Sequence, residues 1–599
     1  MNAVAAVFGA APAHARAAVE TMLARMPARA AGQTVMVDAP PAAFAASGRA
    51  PAHADIAGAA VLAGDIRLAN RREVRAALSM APGAGDAALV LESYARRGLD
   101  FAGALAGDFA IVIFDRRERR LVAARDPLGI RPLYYRRDAG VLRVASELRA
   151  LVEPGDRPDE GYLAEALAGD LVDTEGTAYA AVRRVPAAHL LVAAAGGVRL
   201  VRYWEPDIDV LHGSHADHQE RLRDVFDEAV RACCEGDDRI GVHVSGGLDS
   251  SSVLGSVMAN RVAVPVTGGN LLPWPEADER VWIDAVAARW ALTPVLVEPS
   301  VDPAAHDLGG IAAHRDLPDM PTGAPLFAPL HAALREDGVG AVLTGFGGDQ
   351  WWSGESAHMA DLLRRADVAG LLAWKRAGPS MGDAPWSWRS FVRDGVLPLL
   401  PSAVRRAARR ARPARPPAWI DRRFAARVGL TDRLRRRPDT RGAPSESWRR
   451  LRWRLDSGEE ALAKERFDRM AVAHGVELRH PMYDRRLVEL ALATPDEARI
   501  AGGRNRVVLR EAMGDRLAAA VRARTGKADL SALLIAASRA GDVQRHQSLP
   551  MLSSLGWIDR AAAQAIMRDA HESGDHEAAA PFWYLVGLEA WLCEVFGAE

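Results

Sequence analysis

Apolar positions in the first third of this chain come in short runs with the spacing of strands. Residues 104–115 form an apolar core that ends at a turn, and Arg119–Arg125 alternates back, which predicts an antiparallel hairpin. Shorter runs at 64–70, 132–135 and 141–147 extend the same strand-rich pattern. Near Pro206 the style changes. Residues 219–232 place their apolar positions on one helical face, Ile240–Val244 is a short buried-type strand, and Ser252–Ala259 predicts another helix. Val262–Val266 and Ala341–Leu343 are further strand candidates, each leading into a glycine-containing turn. Strands alternating with helices predict a parallel sheet, so the chain divides into a strand-rich half, 1–205, and an α/β half, 206–599. Within the second half, residues 354–457 depart from the alternation and form a basic helical insertion.

A length of 599 residues predicts two to four domains, and 49 % hydrophobic with 26 % charged residues is enough apolar material for each to own a core. The net charge of −1 excludes a general polyanion binder. Arg405–Arg412, Arg415 and Arg435–Arg437 are local basic clusters, but few aromatic side chains interleave them, and no nucleic-acid partner is expected. Three cysteines, Cys233, Cys234 and Cys593, give neither a disulfide framework nor a zinc spacing. No signal-type segment and no run of about 20 apolar residues occurs, so a cytoplasmic protein without a membrane partner is expected.

The most specific chemistry lies in Ser245-Gly246-Gly247-Leu248-Asp249-Ser250-Ser251, set between strand and helix. Glycines there allow a tight, partly left-handed turn whose backbone N–H groups converge. The helix N-terminus adds partial positive charge, and the serines add donors, so the loop is suited to phosphate. Asp249 is foreign to a pure anion site and fits one where Mg²⁺ bridges carboxylate and phosphates. A second strand and glycine turn, Thr344-Gly345-Phe346-Gly347-Gly348-Asp349, repeats the design. The bland reading of Asp349 is a cap for a following helix.

These motifs resemble the class B asparagine synthetases over nearly the whole chain, and the first loop resembles their pyrophosphate loop. That resemblance implies an N-terminal glutaminase-like αββα sandwich of Ntn hydrolase type and a C-terminal adenine-nucleotide α-hydrolase-like domain. It implies ATP and Mg²⁺, with Asp249 and Asp349 as the metal pair. Val244 and Gly268 come near the nucleoside, and Ser245–Ser251, Gly345, Phe346, Gly347 and Lys527 near its phosphates. Lys527 would neutralise charge during adenylation; its bland reading is a solvated lysine. Glu477 would lie near an acyl-adenylate, with a buried ion pair to Arg479 as the alternative. Asp278 and Glu279 resemble residues near the nucleotide, or complement a helix dipole.

Two departures redirect the expected substrate. The glutaminase family uses a cysteine after the initiator methionine, with its α-amine as base; Asn2 stands here, and its amide cannot attack a carboxamide. Phe346 stands where asparagine synthetases carry glutamate, and a phenyl ring takes no proton. Both departures resemble the lasso peptide macrolactam synthetases, relatives also of the β-lactam synthetases. The resemblance implies a linear precursor peptide as substrate, with a leader peptidase and a leader-binding protein as pathway partners. A ligase acting on a small-molecule carboxylate and a silent ATP-binding module are the alternatives.

Overall fold

The computed structural model describes all residues except 207–208, 238, 300–313, 318–322, 378–386, 402–403, 405–415, 437–442, 502–503, 540, 573–575 and 598–599. Arg405–Arg412, Arg415 and Arg437 of the basic clusters therefore lie outside the described residues.

Twelve strands build the first half: β1 (Asn2–Phe8), β2 (Gln33–Ala39), β3 (Ala42–Gly48), β4 (Ala52–Ile56), β5 (Ala60–Leu68), β6 (Gly107–Asp115), β7 (Arg120–Arg125), β8 (Tyr134–Asp138), β9 (Val141–Ala145), β10 (Val182–Arg184), β11 (His189–Ala194) and β12 (Gly197–Arg202). They form two six-stranded antiparallel sheets, ordered β10-β8-β9-β1-β3-β2 and β12-β11-β7-β6-β5-β4. The hairpin expected at 104–125 is β6 paired with β7. Residues 177–204 are divided between the sheets: β10 joins the first, while β11 and β12 pair at the edge of the second.

Period-two alternation explains the layering. In β1, Val4, Ala6 and Phe8 face the core between the sheets, with Phe44, Val112 and Phe114. Ala3, Ala5 and Val7 face outward against Val19 and Met22 of the helix Pro12–Ala24. The outer face of the second sheet is covered by Leu89, Val90 and Tyr94 of the helix Asp86–Arg97. Helix, sheet, sheet and helix stack in that order.

The second half opens with the helix His215–Cys234, started by a capping box in which Ser214 and Asp217 exchange hydrogen bonds. Five short strands follow: β13 (Ile240–His243), β14 (Val266–Asn270), β15 (Val295–Val297), β16 (Ala341–Leu343) and β17 (Glu477–Arg479). All pair in parallel, in the order β15-β14-β13-β16-β17. β14 begins where the sequence pattern had that strand ending, so Gly268 and Gly269 lie inside it. Glycine suits both positions, since a Cβ on Gly269 would strike the Val244 carbonyl and one on Gly268 would press on Leu330. Ile240, Val242 and Leu343 face the helices His215–Cys234 and Leu248–Ala259, while Val342 and Leu478 face Leu330 and Leu334 on the other side.

Strand order reverses between β13 and β16, and ligands in open parallel sheets bind at the carboxyl ends of the strands where this happens. Both glycine turns leave those two adjacent strands at that end.

The halves are joined through buried charge. The helix Gly458–Ala473 carries Glu465 into the first half, where Arg184 donates at 2.7 and 2.9 Å and Arg125 at 2.9 Å. Burial works to raise the Glu465 pKa, but the two guanidiniums outweigh it and hold the carboxyl down to about 2. One turn on, Asp468 meets the buried Arg29. Removing one member of such a buried cluster strands the others without compensation, at a cost of about 3–5 kcal/mol. Glu465→Ala is expected to lower stability by that amount in denaturant titration of the full chain. A loss below about 1 kcal/mol would show that the arginines find other partners.

Candidate active site

The first glycine turn gives way to a helix earlier than its sequence pattern suggested. The helix Leu248–Ala259 starts inside the motif, with Gly247 as N-cap. Gly246 alone takes a left-handed conformation, φ +65°. Ser245 Oγ and Ser250 Oγ lie 3.0 Å apart, and Gly247 N donates to Ser245 Oγ at 3.3 Å. Ser251 Oγ is buried without a hydrogen bond, while Val244 and Leu248 are core residues. The Val244 N–H donates to Gly268 O at 2.8 Å, which ties the start of the loop to β14.

The second turn closes against the first. A Cβ on Gly345 would sit 2.6 Å from Ser250 N, and one on Gly348 would collide with the Asp249 carboxyl group. Gly347 needs its left-handed φ of +105°, and a side chain there would press on Met482 and Tyr483. Glycine is what lets the two loops touch. Phe346 packs on Phe467, Tyr483 and His480, with ring centroids 5.0, 5.1 and 5.4 Å away. Asp349 lies in the first turn of the helix Gly348–Trp352 and makes no side-chain cap.

Asp249 and Asp349 converge on a shared cation. Arg506 Nη1 donates to both Asp249 oxygens at 2.9 and 2.7 Å and lies 2.8 Å from Asp349 Oδ1. Lys527 Nζ donates to Asp349 Oδ2 at 2.6 Å. Burial raises Asp249 to about 6, opposed by Arg506 and assisted by the like charge of Asp349. For Asp349 burial also works upward, but Arg506 and Lys527 prevail and hold it below the ordinary carboxylate range.

These groups line a cavity of about 230 Å³ in which Arg506, Arg510, Arg524 and Lys527 face Asp249, Asp349 and Glu279. Four cations against three carboxylates leave the pocket short of negative charge. Burial, with Arg506 and Arg504 close by, pulls Arg510 down to about 10. A polyphosphate would relieve that repulsion. The donor set also fits Mg²⁺: two carboxylates supply hard oxygen ligands, and Asp349 Oδ1 meets Arg506 as an ion pair without an aligned hydrogen bond.

Arg506 and Arg524 carried no role in the sequence reading. Arg524 stacks on Trp282 at 3.9 Å, pairs with Glu279 at 2.7 Å and donates to Gly246 O at 3.2 Å. Glu279 thus joins the site through Arg524. Asp278 does not reach it and instead accepts from Arg280 N at 2.9 Å, at the start of the helix Arg280–Trp290.

Glu477 requires correction. It opens β17, paired with Ala341 at the start of β16, whereas the site lies beyond the other end of these strands. Its carboxylate meets Arg131 from the first half, Arg479 at 3.2 Å and the Met1 ammonium at 3.9 Å. Burial works to raise it, yet Arg479 and Arg131 hold it well below the ordinary range. Glu477 is a structural ion-pair partner and a poor proton acceptor, and it does not meet the paired carboxylates.

Paired carboxylates and cations thus lie at the switch point of a parallel sheet, beside an αββα half. The chain belongs to the asparagine synthase family, whose model matches residues 221–593; a glutamine amidotransferase domain matches residues 45–204. It is 28 % identical over 306 residues to the amidase chyE of Penicillium rubens, covering 48 % of this chain and 45 % of that one. It is 29 % identical to asparagine synthetase [glutamine-hydrolyzing] 3 of Bacillus subtilis, over 31 % of this chain and 30 % of that one. The chain thus spans less than half the length of these curated relatives. The amidase chry2 of Gibberella zeae is 29 % identical over 48 % of this chain and 45 % of its own length.

A carboxyl whose pKa is higher in the folded than in the unfolded chain binds more protons when folded. Stability therefore falls as pH rises from about 4 to about 6, and the penalty is complete above that window. Ligand-free Asp249→Asn should lose this pH dependence and melt higher than the parent at pH 7 relative to pH 4. Parallel melting-temperature profiles for the two proteins would refute the assignment.

Proposed function

We propose that the protein is an ATP-dependent, AMP-forming macrolactam synthetase. It activates an Asp or Glu side-chain carboxylate of a linear precursor peptide and joins it to that peptide's own N-terminal amine. The observation that carries this reading is Asn2. It is 4 % exposed, its amide nitrogen donates to Ala50 O and Asp65 Oδ1, and its amide oxygen accepts from Ala50 N. All three bonds spend the side chain on structure at the position where the family's glutaminases carry their nucleophile. An enzyme with no ammonia source of its own takes an amine that arrives with the substrate.

The chemistry proceeds in two displacements. A carboxylate oxygen attacks the α-phosphorus of ATP, the bond to the β-phosphate oxygen breaks and pyrophosphate leaves. The peptide amine then attacks the acyl carbon, AMP leaves and the amine proton passes to solvent. Mg²⁺, held by Asp249 and Asp349, would supply charge neutralisation at the phosphates. Lys527 and Arg506 offset the negative charge that builds during the first displacement. Phe346, caged by Phe467 and Tyr483, offers no proton acceptor. A peptide α-amine, with a pKa of about 7.7–8.0, is already partly neutral near pH 7 and needs little base. Holding amine against acyl group supplies much of the remaining rate.

A second reading keeps the same two displacements but acts on a small-molecule carboxylate; it rests on the likeness to the asparagine synthetases of Bacillus subtilis. No helix among the described residues is long and apolar enough to cross a membrane. The pathway partners implied by the first reading are a leader peptidase and a leader-binding protein.

With ATP, Mg²⁺ and a candidate precursor peptide, the expected product is the peptide less one water, formed with equal amounts of AMP and pyrophosphate. Release of ADP and phosphate would exclude adenylation; AMP formation with a small carboxylate but with no peptide would favour the second reading. Lys527→Ala is expected to bind ATP nearly normally while AMP formation falls by about 10²–10³-fold. Lys527→Arg should rescue poorly, because a planar fork replaces a point charge. Weak nucleotide binding with normal turnover at saturation would instead place Lys527 in ground-state binding.

A further inference from the structure

A second cluster of ligating side chains lies outside the nucleotide pocket. His358 and Asp361 stand one turn apart on the same face of the helix His358–Arg364, and Asp496 opens the short helix Asp496–Arg499. One donor atom from each lies within 4.8 Å of the other two. All three residues are buried, at 5, 3 and 8 % exposure.

We infer that His358, Asp361 and Asp496 form a structural site for one divalent transition-metal ion such as Zn²⁺. Donors on a common ion at about 2.0–2.2 Å lie roughly 3–4 Å apart, so a small side-chain adjustment closes the cluster. One imidazole with two carboxylates is a donor set that zinc accepts.

Two buried groups facing Asp496 lack a well-aligned hydrogen bond and are placed to accommodate an ion. His358 Nδ1 lies 3.4 Å from Asp496 Oδ2 but makes no hydrogen bond. Ser447 is 1 % exposed, its Oγ is buried without a hydrogen bond, and it lines the same cavity as the three ligands. That cavity measures about 50 Å³, room for an ion with at most a water beside it. Outer contacts already orient the ligands, as they do around bound metals. Asp361 accepts from Glu446 N at 3.2 Å, Ser447 N at 3.4 Å and Arg364 at 2.9 Å. Arg499 stands 3.7 Å from Asp496 and offsets part of its charge.

The location assigns the ion a task. Past Asp496 the chain reaches Asn505, whose side-chain oxygen accepts from Gly354 N at 2.8 Å, and then Arg506. Ile500 packs with Met359 and Trp374 of the insertion. A metal here would pin the insertion to the segment that delivers Arg506 to the paired carboxylates, without touching nucleotide. Burial works to lower the His358 pKa, but Asp496 prevails and raises it, so a plain imidazolium–carboxylate pair is the competing account.

The test strips the full-length protein with chelator, adds Zn²⁺, desalts and counts bound metal by plasma mass spectrometry. The parent protein is expected to keep one equivalent, and so is the Asp249→Asn/Asp349→Asn double variant, which removes the other carboxylate pair. His358→Gln and Asp496→Asn should keep none. Zn²⁺ should also raise the melting temperature of the parent but not of His358→Gln. A parent protein that retains no Zn²⁺ overturns the inference whether or not the variants fold, and so does an equivalent that persists in both single variants.

Discussion

Two carboxylates held together at the mouth of a sheet are an electrostatic liability, and much of the second half is arranged around it. β13 and β16 are neighbours whose crossovers leave in opposite directions, so their following turns open onto one crevice. Asp249 and Asp349 meet there because Gly345 and Gly348 allow the loops to touch. The repulsion is tolerable only with positive charge between them. Arg506 supplies it from a left-handed backbone position, φ +57°, just before the helix Val507–Met513. A non-glycine residue held in that conformation is a local cost that the surrounding contacts must support, and the bonds of its guanidinium to Asp249 identify what the strain achieves.

The first half contributes to this arrangement from a distance. Its buried arginines receive Glu465 and Asp468 from the helix that precedes β17, and Arg131 receives Glu477 at the start of that strand. β17 in turn positions Thr344, whose N–H donates to Arg479 O at 3.1 Å just ahead of the second glycine turn. The first half is thus tied mechanically to the loop carrying Asp349.

Loops were more legible in the sequence than the cations that serve them. Glycine, serine and aspartate between a strand and a helix marked both loops, and the resemblance to the asparagine synthetases paired Asp249 with Asp349. Arg506 and Arg524 were not legible, because arginine is abundant in this chain and nothing in their local pattern distinguishes them. Glu477 illustrates a different limit. Its motif left a place near the acyl-adenylate and an ion pair with Arg479 both open, because a strand of three residues does not reveal which of its ends faces the site. His358 and Asp496 lie far apart in sequence, and only packing brings them together.

The helix Glu160–Ala168 of the first half and the segment that follows it have a property that concerns synthesis rather than catalysis. Tyr162, Leu163 and Tyr179 are covered there by Phe582, Trp591 and the rest of the helix His576–Phe596, with Tyr179 and Trp591 ring centroids 5.5 Å apart. Some four hundred residues separate the two sides of that contact. At about 5–20 residues per second, a ribosome needs roughly 20–80 s to add them. During that interval the nascent first half exposes an aromatic surface whose own cover has not yet been made. Chaperone occupancy on the ribosome, and sensitivity to anything that stalls elongation between the two segments, follow from where those aromatic residues fall along the chain.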